Sequence, residues 1–351
     1  MNAKVQETAG GYGEFALIER LRSKLTKSLE GPNVIVGIGD DAAVLDAGDG
    51  KCWVVSCDAQ VQGTHFPKTG ASGFSVGHKG LAVNISDVAS MGARPLYALI
   101  SLGVTDDTSL EFLDEVYEGI NAKAEQWGLA VVGGNVTRTE GPFFIDVFIT
   151  GEVARENLLL RSGARPGDLI LVTGNLGDAA AGFYILNHPE LKIGYESRTM
   201  LTFAHQRPQP RVREAQAISA LCKATAMMDI SDALAGDVEH ICKASEVGAV
   251  IWEHELPIST AALDLASIVQ VDPKEWALYG GEDYQLLLTA PVSEVPALQE
   301  AVRSVGGGSL TPIGEILLPS EGILIKKRSG TEPLEVKSWD HFGKPEEDPK
   351  S

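Results

Sequence analysis

The chain has 351 residues, enough for two ordinary domains with a core each. With 44% hydrophobic residues, 38 Gly and 17 Pro, it is compact and loop-rich in composition, not disordered. Its 29 Lys and Arg against 48 Asp and Glu leave a net charge of −19, which argues against nucleic acid or an anionic membrane surface as partner but not against a phosphate bound through divalent cations.

Cys52, Cys57, Cys222 and Cys242 form no Cys-x-x-Cys pair and have no His at zinc-ligand spacing, which predicts reduced thiols in a cytoplasmic protein. Residues 1–13 are polar and lack a signal-peptide core, and no apolar run approaches membrane-spanning length.

Gly13, Glu14 and Phe15 open a predicted helix in which Phe15, Ile18, Leu21 and Leu25 follow the helical period, a surface helix packing one face. Residues 34–38 read as a short strand, broken by the turn Gly37-Ile38-Gly39-Asp40-Asp41. Two glycines followed by two acids can present carboxylates beside exposed backbone N–H groups. Residues 53–57 form a second strand that ends in Asp58, with His65 in the loop that follows. A strand-end acid and a nearby loop His can share a site.

The stretch 78–95 organises the chain. At 3.6 residues per turn Leu81, Ile85 and Val88 share one face, and Gly80, Asn84, Asp87 and Met91 form a strip beside it. A helix apolar nearly all round is buried, and a buried carboxylate needs a cation or several donors, so Asp87 needs a partner. No Lys or Arg lies three or four positions away to supply one. Residues 96–103 continue as a strand, 110–126 as an amphipathic helix with Phe112, Val116 and Ile120 inward, and 129–132 as a buried strand ending in Gly133-Gly134-Asn135. Residues 143–152 alternate as another strand, and composition shifts near Val153.

The second half opens with a strand over 169–173 and the Gly-rich turn 174–178, whose spacing fits phosphate binding or plain chain reversal. The Walker pattern is absent, so a nucleotide site follows another design. Met227 to Asp232 ends a strand and begins a helix with an apolar stripe at Leu234, Val238 and Ile241 and Ser231 as its expected N-cap. Capping explains one acid there but not both Asp229 and Asp232, which favours metal or phosphate chemistry. Gly280-Gly281-Glu282-Asp283-Tyr284 sets acids beside a glycine pair before a strand at 285–289. A last strand lies near 322–326, and Ser338-Trp339-Asp340-His341-Phe342 is an aromatic tail.

Taken in order, Gly13-Glu14-Phe15, Gly37-Ile38-Gly39-Asp40-Asp41, Asn84-Ile85-Ser86-Asp87, the segment 161–168, Asp229-Ile230-Ser231-Asp232, Gly280-Gly281-Glu282-Asp283-Tyr284 and Trp339-Asp340-His341-Phe342 resemble the thiamine-monophosphate kinases, over about residues 13–343. The Gly-Asp-Asp turn and the strand-end acids are shared with the wider aminoimidazole ribonucleotide synthetase-like superfamily. The resemblance implies an α/β and α+β protein with that two-domain fold: an N-terminal ATP- and metal-binding sheet domain over 1–153 that builds a homodimer interface, and a C-terminal α+β domain over 154–351. It implies transfer of the ATP γ-phosphoryl group to thiamine monophosphate, giving thiamine diphosphate and ADP, with several Mg²⁺ ions and no covalent nucleophile.

Carried over position by position, the resemblance makes Asp41, Ser56, Asp58, Asp87, Asp229 and Asp232 metal ligands. Gly134, Asn135, Arg161 and Ser231 line the nucleotide, and His65, Glu282 and Trp339 hold thiamine monophosphate. Two positions depart from the family pattern. Asn135 stands where Asp is usual and Cys57 where Thr is common, so weaker metal binding is expected. Two other functions fit the same residues: another ATP-using enzyme of the superfamily, or a catalytically weakened sensor of nucleotides or thiamine phosphates.

Overall fold

The structure, a computed structural model, describes residue 9, residues 13–25 and residues 31–336; Trp339 and the aromatic tail lie outside the described residues. The first half runs α1 (Glu14–Arg22), β1 (Val34–Val36), β2 (Ala43–Gly48), β3 (Lys51–Val61), α2 (Gly73–Ser90), β4 (Arg94–Val104), α3 (Leu110–Trp127), β5 (Ala130–Arg138) and β6 (Phe144–Ala154). Its strands form one sheet in the order β1-β2-β3-β6-β4-β5. The second half runs β7 (Asp168–Thr173), α4 (Asp178–Asn187), α5 (Tyr195–Gln206), α6 (Val212–Ala220), β8 (Ala226–Asp229), α7 (Leu234–Ser245) and β9 (Gly248–Trp252). It continues with α8 (Thr260–Val269), α9 (Pro273–Tyr279), β10 (Leu286–Pro291), α10 (Val295–Ser304), β11 (Leu310–Leu317), β12 (Ile323–Lys327) and β13 (Gly330–Pro333). These strands form a second sheet, β13-β12-β9-β11-β7-β10-β8.

Helix α2 is the axis of the molecule. Every residue in it except Phe74 and Asp87 is buried, as a helix apolar all round requires. It starts at Gly73, five residues before the predicted stretch, because its glycines serve packing. A Cβ on Gly77 would lie 1.9 Å from the Val116 carbonyl oxygen, and one on Gly119 would lie 2.0 Å from that of Phe74. Only bare backbone lets α2 and α3 approach so closely. Ser109 caps α3 by accepting from the Phe112 N–H at 3.2 Å, and Gly128, at φ 62°, ends it in the left-handed conformation.

On one side α2 covers the first sheet, where Val54, Ile100 and Ile145 meet Leu81 and Ile85. On the other it packs against α6, and Val212, Ile218 and Leu298 belong to the same core. One hydrophobic core therefore joins the halves. Full burial of each such aliphatic side chain stabilises by about 1.5–3 kcal/mol. A second core lies across the C-terminal sheet, where the Leu234, Val238 and Ile241 stripe of α7 meets Val172, Met228 and Ile251.

Three expectations need correction. Strand β5 does not end at Gly133 and is not buried: it runs to Arg138, and all nine of its residues are exposed. It is the terminal strand of its sheet, paired in parallel with β4 alone, so its Val-rich sequence faces outward. Asp58 is not at a strand end, since β3 pairs with β6 from Lys51–Ala154 to Val61–Phe144 without a break. Ser231 does not cap α7. The helix begins at Leu234 after Ala233, whose φ is 88°, so the acids of 229–232 sit in an open loop.

Candidate active site

The acidic residues converge where α2 passes between β3 and β8. Side chains alternate along β3, so Ser56 and Asp58 point toward α2 while Cys57 projects from the opposite face. Its sulfur is thus kept from the carboxylates. Ser56 Oγ donates to Asp87 Oδ2 at 2.7 Å, and the Asp58 N–H donates to Asn84 Oδ1 at 2.9 Å. From the same helix, Ser86 Oγ donates to Asp229 Oδ2 at 2.5 Å, and Ser90 Oγ donates to Asp41 Oδ2. Helix α2 therefore reaches Asp41, Asp87 and Asp229 through hydroxyl groups or its own carboxylate.

Arg161 closes one side. Its Nε and Nη2 each lie 2.6 Å from Asp41 Oδ1, and its backbone N–H faces both oxygens of Asp40 at 3.2 and 3.3 Å. Burial works against the guanidinium charge, but Asp41 and Asp40 more than offset it and raise its pKa above the ordinary value. This cation faces Asp40, Asp41 and Asp237 together.

The electrostatics follow from that imbalance. Asp87 is raised well above 3.8, by burial first and then by Asp58 and Asp229. Asp229 is pushed to about 8 by burial and by Asp41, against the lowering effect of Ser86. Asp58 keeps solvent-exposed surface, yet desolvation by the surrounding protein and repulsion from Asp232 raise it to about 6. Oxygen-only donors that repel one another in this way suit a hard divalent cation such as Mg²⁺, which relieves the crowding.

A second constellation is built on the loop before β10. The Glu282 N–H donates to the Ser231 carbonyl and the Tyr284 N–H to that of Ile230, both at 2.8 Å, so this loop is laid against the Asp229–Asp232 loop. Glu282 and Tyr284 hold φ values of 59° and 49°, a strained left-handed backbone for bulky residues. Asp283 accepts from the Gly177 and Ala179 N–H groups at 2.7 and 3.3 Å, which occupies the start of α4. The Gly-rich turn at 174–178 is thus a chain reversal capped by the protein itself.

Glu282 Oε1 lies 2.6 Å from Lys79 Nζ of α2, and Oε2 lies 3.0 Å from His205 Nδ1. Burial would raise this carboxyl, but Lys79 and His205 hold it well below the ordinary range. Burial and Lys79 lower the His205 pKa, so its contact with Glu282 is that of a neutral N–H donor. Lys79 and His205 also line a cavity of about 200 Å³ together with His65, Phe66 and Phe183. His65 Nδ1 accepts from the Val61 N–H at 2.9 Å, which turns the ring into its place there. A larger cavity of about 600 Å³, lined by Phe74, His78, Arg207 and Arg211, includes Gly174, Asn175 and Asp178 of the Gly-rich turn but none of the site residues carried over from the resemblance.

Asp41, Ser56, Asp58, Asp87, Asp229, Asp232 and Arg161 are thus brought together, with Ser231, Glu282 and His65 alongside. Gly134 and Asn135 are not. They lie on β5, three strand spacings from β3, about 14 Å across the sheet. A Cβ on Gly134 would lie 1.8 Å from the Ile100 carbonyl oxygen, so the close β4–β5 pairing itself demands glycine there. Sequence reasoning missed Lys79, Ser86, Ser90 and His205. A lysine on an otherwise buried helix was the one available signal, because such a cation requires an anion.

Residues 39–153 match the N-terminal domain of the AIR synthase related proteins and residues 165–325 match their C-terminal domain. The thiamine-monophosphate kinase of Escherichia coli O157:H7 is 36% identical over 337 residues, covering 95% of this chain and 99% of that protein. That of Bacillus subtilis strain 168 is 34% identical, covering 94% and 99%. Among solved structures, AaThiL complexed with AMPPCP and TMP matches with a TM-score of 0.83 at 32% identity, covering 97% of this chain and all of that one, 100%. The Escherichia coli hydrogenase maturation protein HypE, at 19% identity and a TM-score of 0.67, shares the fold alone.

Proposed function

We propose the reaction from one premise: the chain belongs to the thiamine-monophosphate kinase family. It transfers the γ-phosphoryl group of ATP to thiamine monophosphate, releasing thiamine diphosphate and ADP. The observation that carries this reading is the full-length match to kinases of that name, joined by the likeness to a structure holding both an ATP analogue and TMP.

Phosphoryl transfer demands in-line positioning and charge neutralisation more than covalent chemistry, and no nucleophile is assigned. Asp41, Ser56, Asp58, Asp87, Asp229 and Asp232 would hold Mg²⁺, the fit being their oxygen-only, mutually repelling donor set. A Mg²⁺ ion held by these residues would supply positive charge to offset that of the phosphates. Arg161, anchored on Asp41, keeps its remaining N–H donors for a nucleotide phosphate, and Ser231, in the loop after β8, would line the nucleotide with it.

His65, which lines the cavity of about 200 Å³, would hold thiamine monophosphate together with Glu282 and Trp339. Glu282, fixed by Lys79 and His205, is an ionised acceptor for the amino group of the substrate's aminopyrimidine. The presence of two sheets, the first ending with β6 at Ala154, supports a division into 1–153 and 154–351.

A homodimer is supported by the outer face of the first sheet, where Tyr97 is 47%, Leu99 40% and Phe148 39% exposed and Leu99 pairs with Phe148. So large an apolar face calls for cover. Leu99→Lys with Phe148→Lys should then shift the mass measured by light scattering to that of one chain. Cytoplasmic location fits the absence, among the described residues, of any helix long and apolar enough to cross a membrane.

The test of the reaction is a product assay with purified protein, ATP, Mg²⁺ and thiamine monophosphate. Thiamine diphosphate and ADP should appear in equal amounts and vanish together in Asp87→Ala. ADP without thiamine diphosphate would point to another acceptor, and neither product, with ATP bound, to a sensor.

A further inference from the structure

Asp237 is a buried carboxylate that accepts no hydrogen bond. It sits in the first turn of α7 at 0% exposure, and neither of its oxygens has a hydrogen-bond partner. Burial, Asp232 and Asp229 all act against its charge. Arg161 is the nearby cation, but its Nε and Nη2 are spent on Asp41, and no ion pair joins it to Asp237 among the described residues. A buried acid without donors costs several kcal/mol unless it is protonated or meets a cation.

Its surroundings supply the rest of a cation site. His240 follows on α7 at i+3, and such positions share a helix face. Asp232 enters from the loop before the helix. One ligand atom from each of Asp232, Asp237 and His240 lies within 4.8 Å of the other two. A cation drawn among them would meet two carboxylates and an imidazole. That donor set differs from the oxygen-only cluster around Asp87, because imidazole nitrogen favours first-row transition metals over Mg²⁺.

We propose that Asp232, Asp237 and His240 form a site for a divalent transition-metal ion such as Mn²⁺, sharing Asp232 with the oxygen-only cluster. The orphaned Asp237 oxygens carry the inference, and His240 gives the site its selectivity. It goes beyond the kinase reading and depends on it only through the shared Asp232.

The test uses the full chain without nucleotide or thiamine monophosphate, in excess Mg²⁺ to fill oxygen-only sites, titrated with Mn²⁺ and followed by electron paramagnetic resonance. One Mn²⁺ per chain should bind despite the Mg²⁺, with nitrogen coupling from an imidazole in pulsed spectra. His240→Gln, at a half-buried position, should abolish the nitrogen coupling, and Asp237→Asn should weaken Mn²⁺ binding at least about tenfold, the scale on which lost metal contacts act. If wild type binds no Mn²⁺ over Mg²⁺, if the bound Mn²⁺ lacks nitrogen coupling, or if both variants bind it as wild type does, the proposal is overturned. Failure of the kinase reading would instead appear in the product assay, which these binding measurements do not involve.

Discussion

Ser86 Oγ donates to Asp229 Oδ2 at 2.5 Å, joining α2 to the last residue of β8 across 143 positions of sequence. Both groups are buried, so the bond does two things at once. It ties the second sheet to the central helix, and it lowers a carboxyl that burial and Asp41 raise. Ser86→Ala leaves a buried acceptor without its donor, at a cost of about 1–3 kcal/mol. Denaturant unfolding should show that loss, and the Mg²⁺ concentration for half-maximal rate should change with it. A variant as stable as wild type would mean that another donor replaces the hydroxyl.

The acid cluster predicts an inverse dependence of stability on pH. Asp58 and Asp229 are raised in the folded protein from 3.8 to about 6 and about 8. A carboxyl with a raised folded pKa binds its proton more tightly when folded, so its contribution is complete below 3.8 and is lost as pH rises to about 8. Metal-free protein should therefore melt at progressively lower temperature across that range. Mg²⁺ should reverse the loss most at the alkaline end, by about 2.7 kcal/mol at a hundredfold excess over its Kd. Scanning calorimetry with and without a chelator checks this, and a metal-free melting temperature that rises with pH would contradict it.

Lys79 serves Glu282, and removing it should be felt at the acceptor. Lys79→Met strands a carboxylate that is 30% exposed, at a cost of about 1–3 kcal/mol after discounting for solvent. The KM for thiamine monophosphate should rise about tenfold, while the KM for ATP stays within about twofold. Adding Glu282→Gln should restore much of the stability but not the KM. Equal changes in both KM values would place Lys79 in general support of the fold.

The α2–α3 contact makes a purely structural prediction. In Gly77→Ala the new methyl group would lie 1.9 Å from the Val116 carbonyl oxygen, so one helix must move. The expected cost is about 1–3 kcal/mol. Because α2 carries Ser86, Asp87 and Ser90, kcat should fall even though residue 77 touches no substrate. Thermal melting and steady-state kinetics on the same preparation test this, and unchanged kcat in a destabilised variant would show that the acid cluster tolerates the shift.

The central helix was legible in the sequence because its burial is written in local periodicity. Leu81, Ile85 and Val88 repeat at helical spacing, and an acid among them advertises a partner. The two-carboxylate loop at Asp229 and Asp232 was legible for a similar reason, since one cap cannot use two acids. Residue order and spacing also carried the family, because the Gly-Asp-Asp turn, the helix and the Gly-Gly-Glu-Asp-Tyr loop recur as a set.

Tertiary structure decided what local pattern does not encode. A Val-rich run reads the same whether it is central or terminal in a sheet, and only pairing shows β5 to be an exposed edge. Strand alternation, once the register is fixed, turns Cys57 away from the acids and Ser56 toward Asp87. Lys79, His205 and Glu282 meet from three distant segments, so their mutual charge balance exists only in the folded chain. The orphaned oxygens of Asp237 are likewise a property of burial, which depends on every element packed around α7. Sequence fixes which charges are present. Folding decides which of them must share the same low-dielectric space.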